Sequence, residues 1–323
     1  MTVSALFLWW AARNVDFSNA WDALYRVDYR IYAGSMVLYF LTMLIRALLV
    51  SILLSPHGRV TVGNTLSNLI LGYFCNNILP FKVGEIVRTG LITRDAKIPF
   101  FTGLSALVME RSMDILSLVV IALVTSFFLP LPEQVIISIR VVGAGLLVLY
   151  VTVIGLALAR RRGWTGPEKL LARLPGRAGT LAVRTLDQLA DGLKAFSRPG
   201  TFLTTVLLVA MFWVVAISGW YLRLRAFGLA DSYAVAPLVI LVVGLGISIP
   251  SAPSYAGVMH ACIVFALGTV GVAGDSSFPF AVFLHAVDFA FVGILGVTVM
   301  GMKSMTLGGL RDAARAGGRD KAG

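Results

Sequence analysis

The sequence predicts an all-α polytopic membrane protein with about seven to nine membrane segments, two of them broken, re-entrant and opposed, as an inverted repeat would place them. Three observations carry this. Of the 323 residues, 58% are hydrophobic and only 13% charged, against roughly a quarter charged in a soluble domain. Several apolar runs approach or exceed the ~20 residues a helix needs to cross hydrocarbon. Two Pro-x-x-x-Gly motifs interrupt the apolar text at corresponding places in the two halves, Pro80 to Gly84 and Pro253 to Gly257. The apolar runs are continuous and do not alternate, which argues against a β-barrel.

The stretch Leu6 to Ala12 is short for a span. It lacks a basic leader and an Ala-x-Ala site, so it is not read as a signal peptide; a tilted first helix, an interfacial helix and a truncated start all fit. Ile31–Leu54 is a span with Arg46 inside it. Val62–Leu79 is apolar but rich in Gly, Asn and Ser, and runs into the first motif. Phe100–Leu129 is long and holds Glu110, Arg111 and Asp114. Residues 130–133 form a turn, and Val135–Ala159 is a further span.

Residues 160–198 hold nine Lys or Arg, with Leu181, Leu186, Leu189 and Leu193 spaced for one face of an amphipathic helix. Phe202–Leu222, Tyr233–Ile249, Val258–Val272 and Phe280–Met302 follow, and residues 303–323 read as a disordered basic tail. Residues 1–302 thus form one membrane domain, with halves 1–159 and 199–302 joined by the 160–198 loop.

The net charge of +11 fits the positive-inside bias and contact with anionic lipid, and does not call for nucleic acid. That bias puts the 160–198 loop and the tail in the cytoplasm, together with Arg59 and with Lys82, Arg88, Arg94 and Lys97. Each half then makes an excursion that enters and returns on one side, and the two excursions start from opposite sides. Proline removes an N–H and obstructs the preceding turn, and glycine permits close approach or a positive φ. Such backbone survives at membrane depth only when buried in protein or lining a wet cavity. Paired broken helices in opposed halves mark a transporter site.

Ionisable residues within spans default to functional candidates because hydrocarbon penalises them. Glu85 and Arg88 share a helix face at i,i+3, as do Arg111 and Asp114, and Glu110 and Asp114 stand at i,i+4. His260 follows the second break by three residues, and His285 and Asp288 share a face in the last span. Each group has a structural alternative: an interfacial pair for Glu85 and Arg88, a helix-clamping network for Glu110, Arg111 and Asp114, and interhelical hydrogen bonding for the histidines. Cys75 and Cys262 read as small hydrophobes and not as a disulfide or metal site.

Read together, "NNILPFKVGEIVRTGLI", "ALVMERSMDILSL", "IPSAPSYAGVMHACIVFALGTVGV" and "FLHAVDFAFVGILG" resemble the lysylphosphatidylglycerol synthase transmembrane region, also called the flippase-like family. The matching positions are Asn77, Pro80, Gly84, Glu85 and Arg88; Glu110, Arg111 and Asp114; and Pro250, Pro253, Gly257 and His260. The resemblance runs over roughly residues 30 to 302 and implies an integral inner-membrane protein of bacteria that moves a lipid, or a lipid-linked group, between leaflets. The namesake enzymes add a cytosolic aminoacyltransferase domain. About twenty residues follow Lys303, fewer than a domain needs, so the expectation is a stand-alone member without synthase activity. One departure is Ser254, where the family commonly has glycine.

The implied substrate is an anionic phospholipid or a polyprenyl-linked lipid. Arg88 and Arg111, with Lys82, would neutralise its phosphate, and Glu85 and Asp114 would orient those arginines or meet a cationic headgroup. No Gly-x-x-x-x-Gly-Lys-Ser/Thr motif offers ATP drive, and no cofactor, metal site or catalytic residue is expected. One alternative is a membrane-embedded glycosyl- or phospho-transferase using His260, His285, Asp288 or Glu110 for acid–base work, although the sequence has no Asp-x-Asp metal cluster. Another is a non-catalytic partner of a glycosyltransferase acting through the 160–198 loop. A homodimer is a further expectation.

Overall fold

The computed structural model describes residues 2–12, 25–79, 83–128, 133–164, 199–247 and 252–306, with 166, 178–181, 183, 184, 187 and 308. Its helices are α1 (Thr2–Ala12), α2 (Tyr29–Leu54), α3 (Val62–Ile78), α4 (Val83–Ala96), α5 (Phe100–Thr125), α6 (Glu133–Arg161), α7 (Pro199–Ala226), α8 (Val235–Gly246), α9 (Val258–Gly268) and α10 (Gly274–Met302). Among the described residues there is no strand. Among the described residues, four helices are long and apolar enough to cross a membrane: α2, residues 139–156 of α6, residues 200–226 of α7, and α10. The protein is an all-α membrane protein.

The last span begins earlier than its apolar text. α10 starts at Gly274 and takes in Pro279, because a proline this near a helix start removes one intrahelical bond without ending the helix. α1 packs through Ala11 on Ala261 of α9 and Phe278 of α10. Its 11 residues reach roughly 16 Å, short of the ~30 Å hydrocarbon layer. Most of the 160–198 loop, and the tail beyond residue 308, lie outside the described residues.

α2 and α7 are antiparallel: the Asp28 amide donates to the Ala226 carbonyl at 2.9 Å. Asp28 also caps α2, its carboxylate accepting from the Arg30 and Ile31 amides. The opposite end of the molecule gathers the loop after α2, the last turn of α4 and the end of α10. There Lys303 Nζ donates to Asn68 Oδ1 at 2.7 Å and Asp95 Oδ2 at 2.8 Å.

α3 and α4 therefore enter from this end and return to it. Their legs touch backbone to backbone: a Cβ on Gly72 would lie 2.7 Å from Arg88 Cβ, and one on Gly84 would collide with the Gly72 carbonyl. α8 and α9 form the second hairpin, starting from the other end over a core of Leu224, Val239, Leu267, Phe280 and Leu284. Gly246 admits Cys262 at its crossing. Each half thus reads long helix, hairpin, long helix: α2, α3/α4, α5, then α7, α8/α9, α10. The two hairpins start from opposite ends of the molecule, as the two motifs led one to expect.

Candidate functional site

The two hairpin tips meet. Asn77, in the last turn of α3, donates from Nδ2 to the Phe289 carbonyl of α10 at 3.5 Å and accepts on Oδ1 from Ser254 Oγ at 3.4 Å. His285 Nε2 lies 2.9 Å from the same Ser254 hydroxyl. Ser254 belongs to a 3-10 turn that begins at Pro253, and its φ is +56°. Tyr255, at +60°, and Gly257, at +85°, are also left-handed. That region favours glycine, which accounts for the residue type expected at position 254; here serine takes the strained conformation and uses its hydroxyl to bridge the tips. Gly257 precedes α9, and its amide donates to His260 Nδ1 at 3.2 Å. The His260 and His285 rings meet edge to face, with centroids 4.9 Å apart.

Beside the tips lies a network of six charges. Arg88 grips both oxygens of Glu110, at 3.0 and 3.1 Å. Arg46 of α2 reaches Asp114 at 2.9 Å and Glu110 at 3.5 Å, with its guanidinium 3.9 Å from the ring centroid of Phe212 on α7. Arg111 contacts Glu110 at 3.1 Å, Asp114 at 3.2 Å and Glu85 at 3.4 Å. Three guanidiniums face three carboxylates, so the network is neutral as a unit. Buried charge survives only when paired and hydrogen-bonded in this way.

The members differ in access. Arg88 and Glu110 are almost fully buried, whereas the Arg111 side chain is 41% exposed and Glu85 24%. Tyr73 and Tyr255 stand within electrostatic reach of that open pair. Glu85 and Arg88, although on one helix face, do not pair with each other: Glu85 turns to Arg111 and Arg88 to Glu110. Arg88 meets Glu110 through one guanidinium nitrogen and keeps its other terminal nitrogen buried without a hydrogen-bond partner, whereas Arg111 is the arginine of this network with a large open surface.

A second ion pair lies in the other half. Arg223 of α7 binds Asp288 of α10 bidentately, at 2.9 and 3.0 Å, with its guanidinium 5.0 Å from the Tyr39 ring centroid. Asn76 Oδ1 accepts from the Gly84 amide at 2.9 Å and so ties α3 to the start of α4. Pro80, Lys82 and Pro250 lie outside the described residues. Sequence reasoning missed Arg46 as a member of the first network and Arg223 as the partner of Asp288. The signal for both was available, since an arginine inside an apolar span needs a partner.

Among the described residues no group of three or more His, Cys, Asp or Glu is placed to hold a metal ion. No curated protein and no solved structure matches the chain. The family model described as the lysylphosphatidylglycerol synthase TM region matches residues 1–296, and by that match over most of its length the chain belongs to this family.

Proposed function

We propose that the protein moves a lipid, or a lipid-linked headgroup, between the leaflets of a bacterial inner membrane, with the 160–198 loop and the tail on the cytoplasmic side. The observation that carries this is the meeting of two opposed re-entrant tips beside a half-open Arg111–Glu85 pair. A polar headgroup passing between the tips finds hydrogen-bonding partners at membrane depth, while its acyl chains stay in hydrocarbon. Arg111 receives the phosphate, because a guanidinium presents paired donors to phosphate oxygens. Arg88 and Arg46 act one step back: by neutralising Glu110 and Asp114 they keep both carboxylates from claiming Arg111 outright. The substrate is an anionic phospholipid or a polyprenyl-linked lipid, and the protein acts as a transporter and not as an enzyme.

The test is reconstitution into vesicles made from lipid of the native membrane, with a trace of headgroup-labelled phospholipid whose exposure is read by a membrane-impermeant quencher. Wild type should expose the inner-leaflet label. Arg111→Gln should slow this by about 10-fold or more, the worth of a charge-assisted hydrogen bond, and Arg111→Lys should recover part of the rate. Wild type that moves no lipid overturns the reading.

A further inference from the structure

The two halves place different side chains at the same point of one pattern. In each, an arginine of the first long helix pairs with an aspartate of the last: Arg46 with Asp114, and Arg223 with Asp288. Asp114 lies fourteen residues after Phe100, the first residue of α5, and Asp288 fourteen after Gly274, the first of α10. One turn earlier, eleven residues into each helix, the first half has Arg111 and the second has His285. Both are partly exposed. Arg111 faces its own hairpin through Glu85 at 3.4 Å, and His285 faces its own through Ser254 at 2.9 Å.

The two side chains differ in charge behaviour. A guanidinium is cationic at every working pH, whereas imidazole ordinarily titrates near ~6.5. His285 Nε2 and the Ser254 hydroxyl share a hydrogen bond whose donor the imidazole tautomer sets, and a protonated imidazole donates from both ring nitrogens. The groups facing His285 come from several elements. Asp288 of its own helix has both oxygens taken by Arg223 of α7. His260 of α9 uses Nδ1 to accept from Gly257. Ser254 and, through it, Asn77 come from the two tips, and Tyr39 and Tyr32 of α2 lie near Asp288 and Arg223. With His285 neutral, the Arg223–Asp288 pair balances. With His285 protonated, the cluster carries one positive charge whose nearest carboxylate is already engaged, and an arriving phosphate supplies the missing anion.

We propose that His285 is a second headgroup station, the counterpart of Arg111, and that it takes up a proton when a lipid phosphate arrives and releases it when the phosphate leaves. This rests on the reading of the protein as a lipid translocator, and it names the coupling: the first station is permanently cationic, while the second is cationic only with its proton. By linkage the effect runs both ways, so acid strengthens phosphate binding and phosphate raises proton occupancy.

The test follows the rate of headgroup movement in vesicles of phosphatidylethanolamine and phosphatidylglycerol, from about pH 5.5 to about pH 7.5, one unit either side of the ordinary ~6.5. Wild type should be at least about 10-fold faster at the acid end, the smallest ratio of protonated imidazole across that window for a group titrating no higher than the free side chain. His285→Arg should be fast and flat, His285→Gln slow and flat, and His260→Gln should keep the pH dependence. A second measurement needs no transport: adding short-chain phosphatidylglycerol to detergent-solubilised wild type in weak buffer should take up a proton, read by an indicator dye, and His285→Gln should abolish the uptake. A flat wild-type profile, a His285→Gln profile like wild type, or loss of pH dependence in His260→Gln overturns the proposal while lipid movement itself stands. Wild type that moves no lipid at any pH overturns the translocator reading beneath it.

Discussion

Glu110 is the residue on which the first network turns. It is 1% exposed and lies within salt-bridge distance of Arg46, Arg88 and Arg111. Removing one member of a buried ion cluster strands the others, at a cost of about 3–5 kcal/mol. Glu110→Gln should therefore lower stability by about that much in denaturant titration of the solubilised protein. Glu110→Gln combined with Arg88→Met should recover part of it, since the second change removes a stranded charge. At this scale the sequence was informative about which residues carry charge at depth and less so about their partners. Glu110, Arg111 and Asp114 were legible as a cluster because they sit within two turns of one helix. Arg46 and Arg223 were not tied to the site because their carboxylates lie 68 and 65 residues away, and no local spacing rule spans that distance.

The hairpin α3/α4 is the element that presents Glu85 and Arg88. It depends on two glycines at one crossing. A methyl group on Gly84 would collide with backbone and also lie 2.6 Å from Asn76 Oδ1, the atom that accepts from the Gly84 amide. Gly84→Ala must push the legs apart, and overpacking of this kind costs about 1–3 kcal/mol. The expected result is a lower melting temperature together with slower lipid movement, while Gly145→Ala, at a position with open space around it, should leave both unchanged. Both breaks were visible in the sequence, since Pro and Gly announce where a helix cannot continue. The closeness of the legs was not, because a lone glycine in an apolar run signals permission for contact without saying what makes it.

For the whole molecule, the contact between Asn77 and Ser254 joins the tips of the two hairpins. Replacing both with cysteine, in a chain whose Cys75 and Cys262 have been changed to alanine, should allow an oxidative cross-link that stops lipid movement, and reduction should restore it. Cross-linking with no effect on movement would show that the tips do not part. The broad architecture was legible here from charge asymmetry and from the repeated Pro-x-x-x-Gly, which together required opposed excursions. The meeting of the tips was not legible, because it joins residues 177 positions apart through a serine that stands where glycine is usual.

Lys303 adds something to the glycine crossing of the first hairpin. One ammonium holds Asn68 on the incoming leg and Asp95 on the outgoing leg, and beyond that clasp the legs have no compressible layer of side chains between them at Gly72 and Gly84. Sliding one leg over the other would break the clasp and force the Gly72–Gly84 crossing apart, so the two legs are tied at two levels between the Lys303 end and the tip at Asn77.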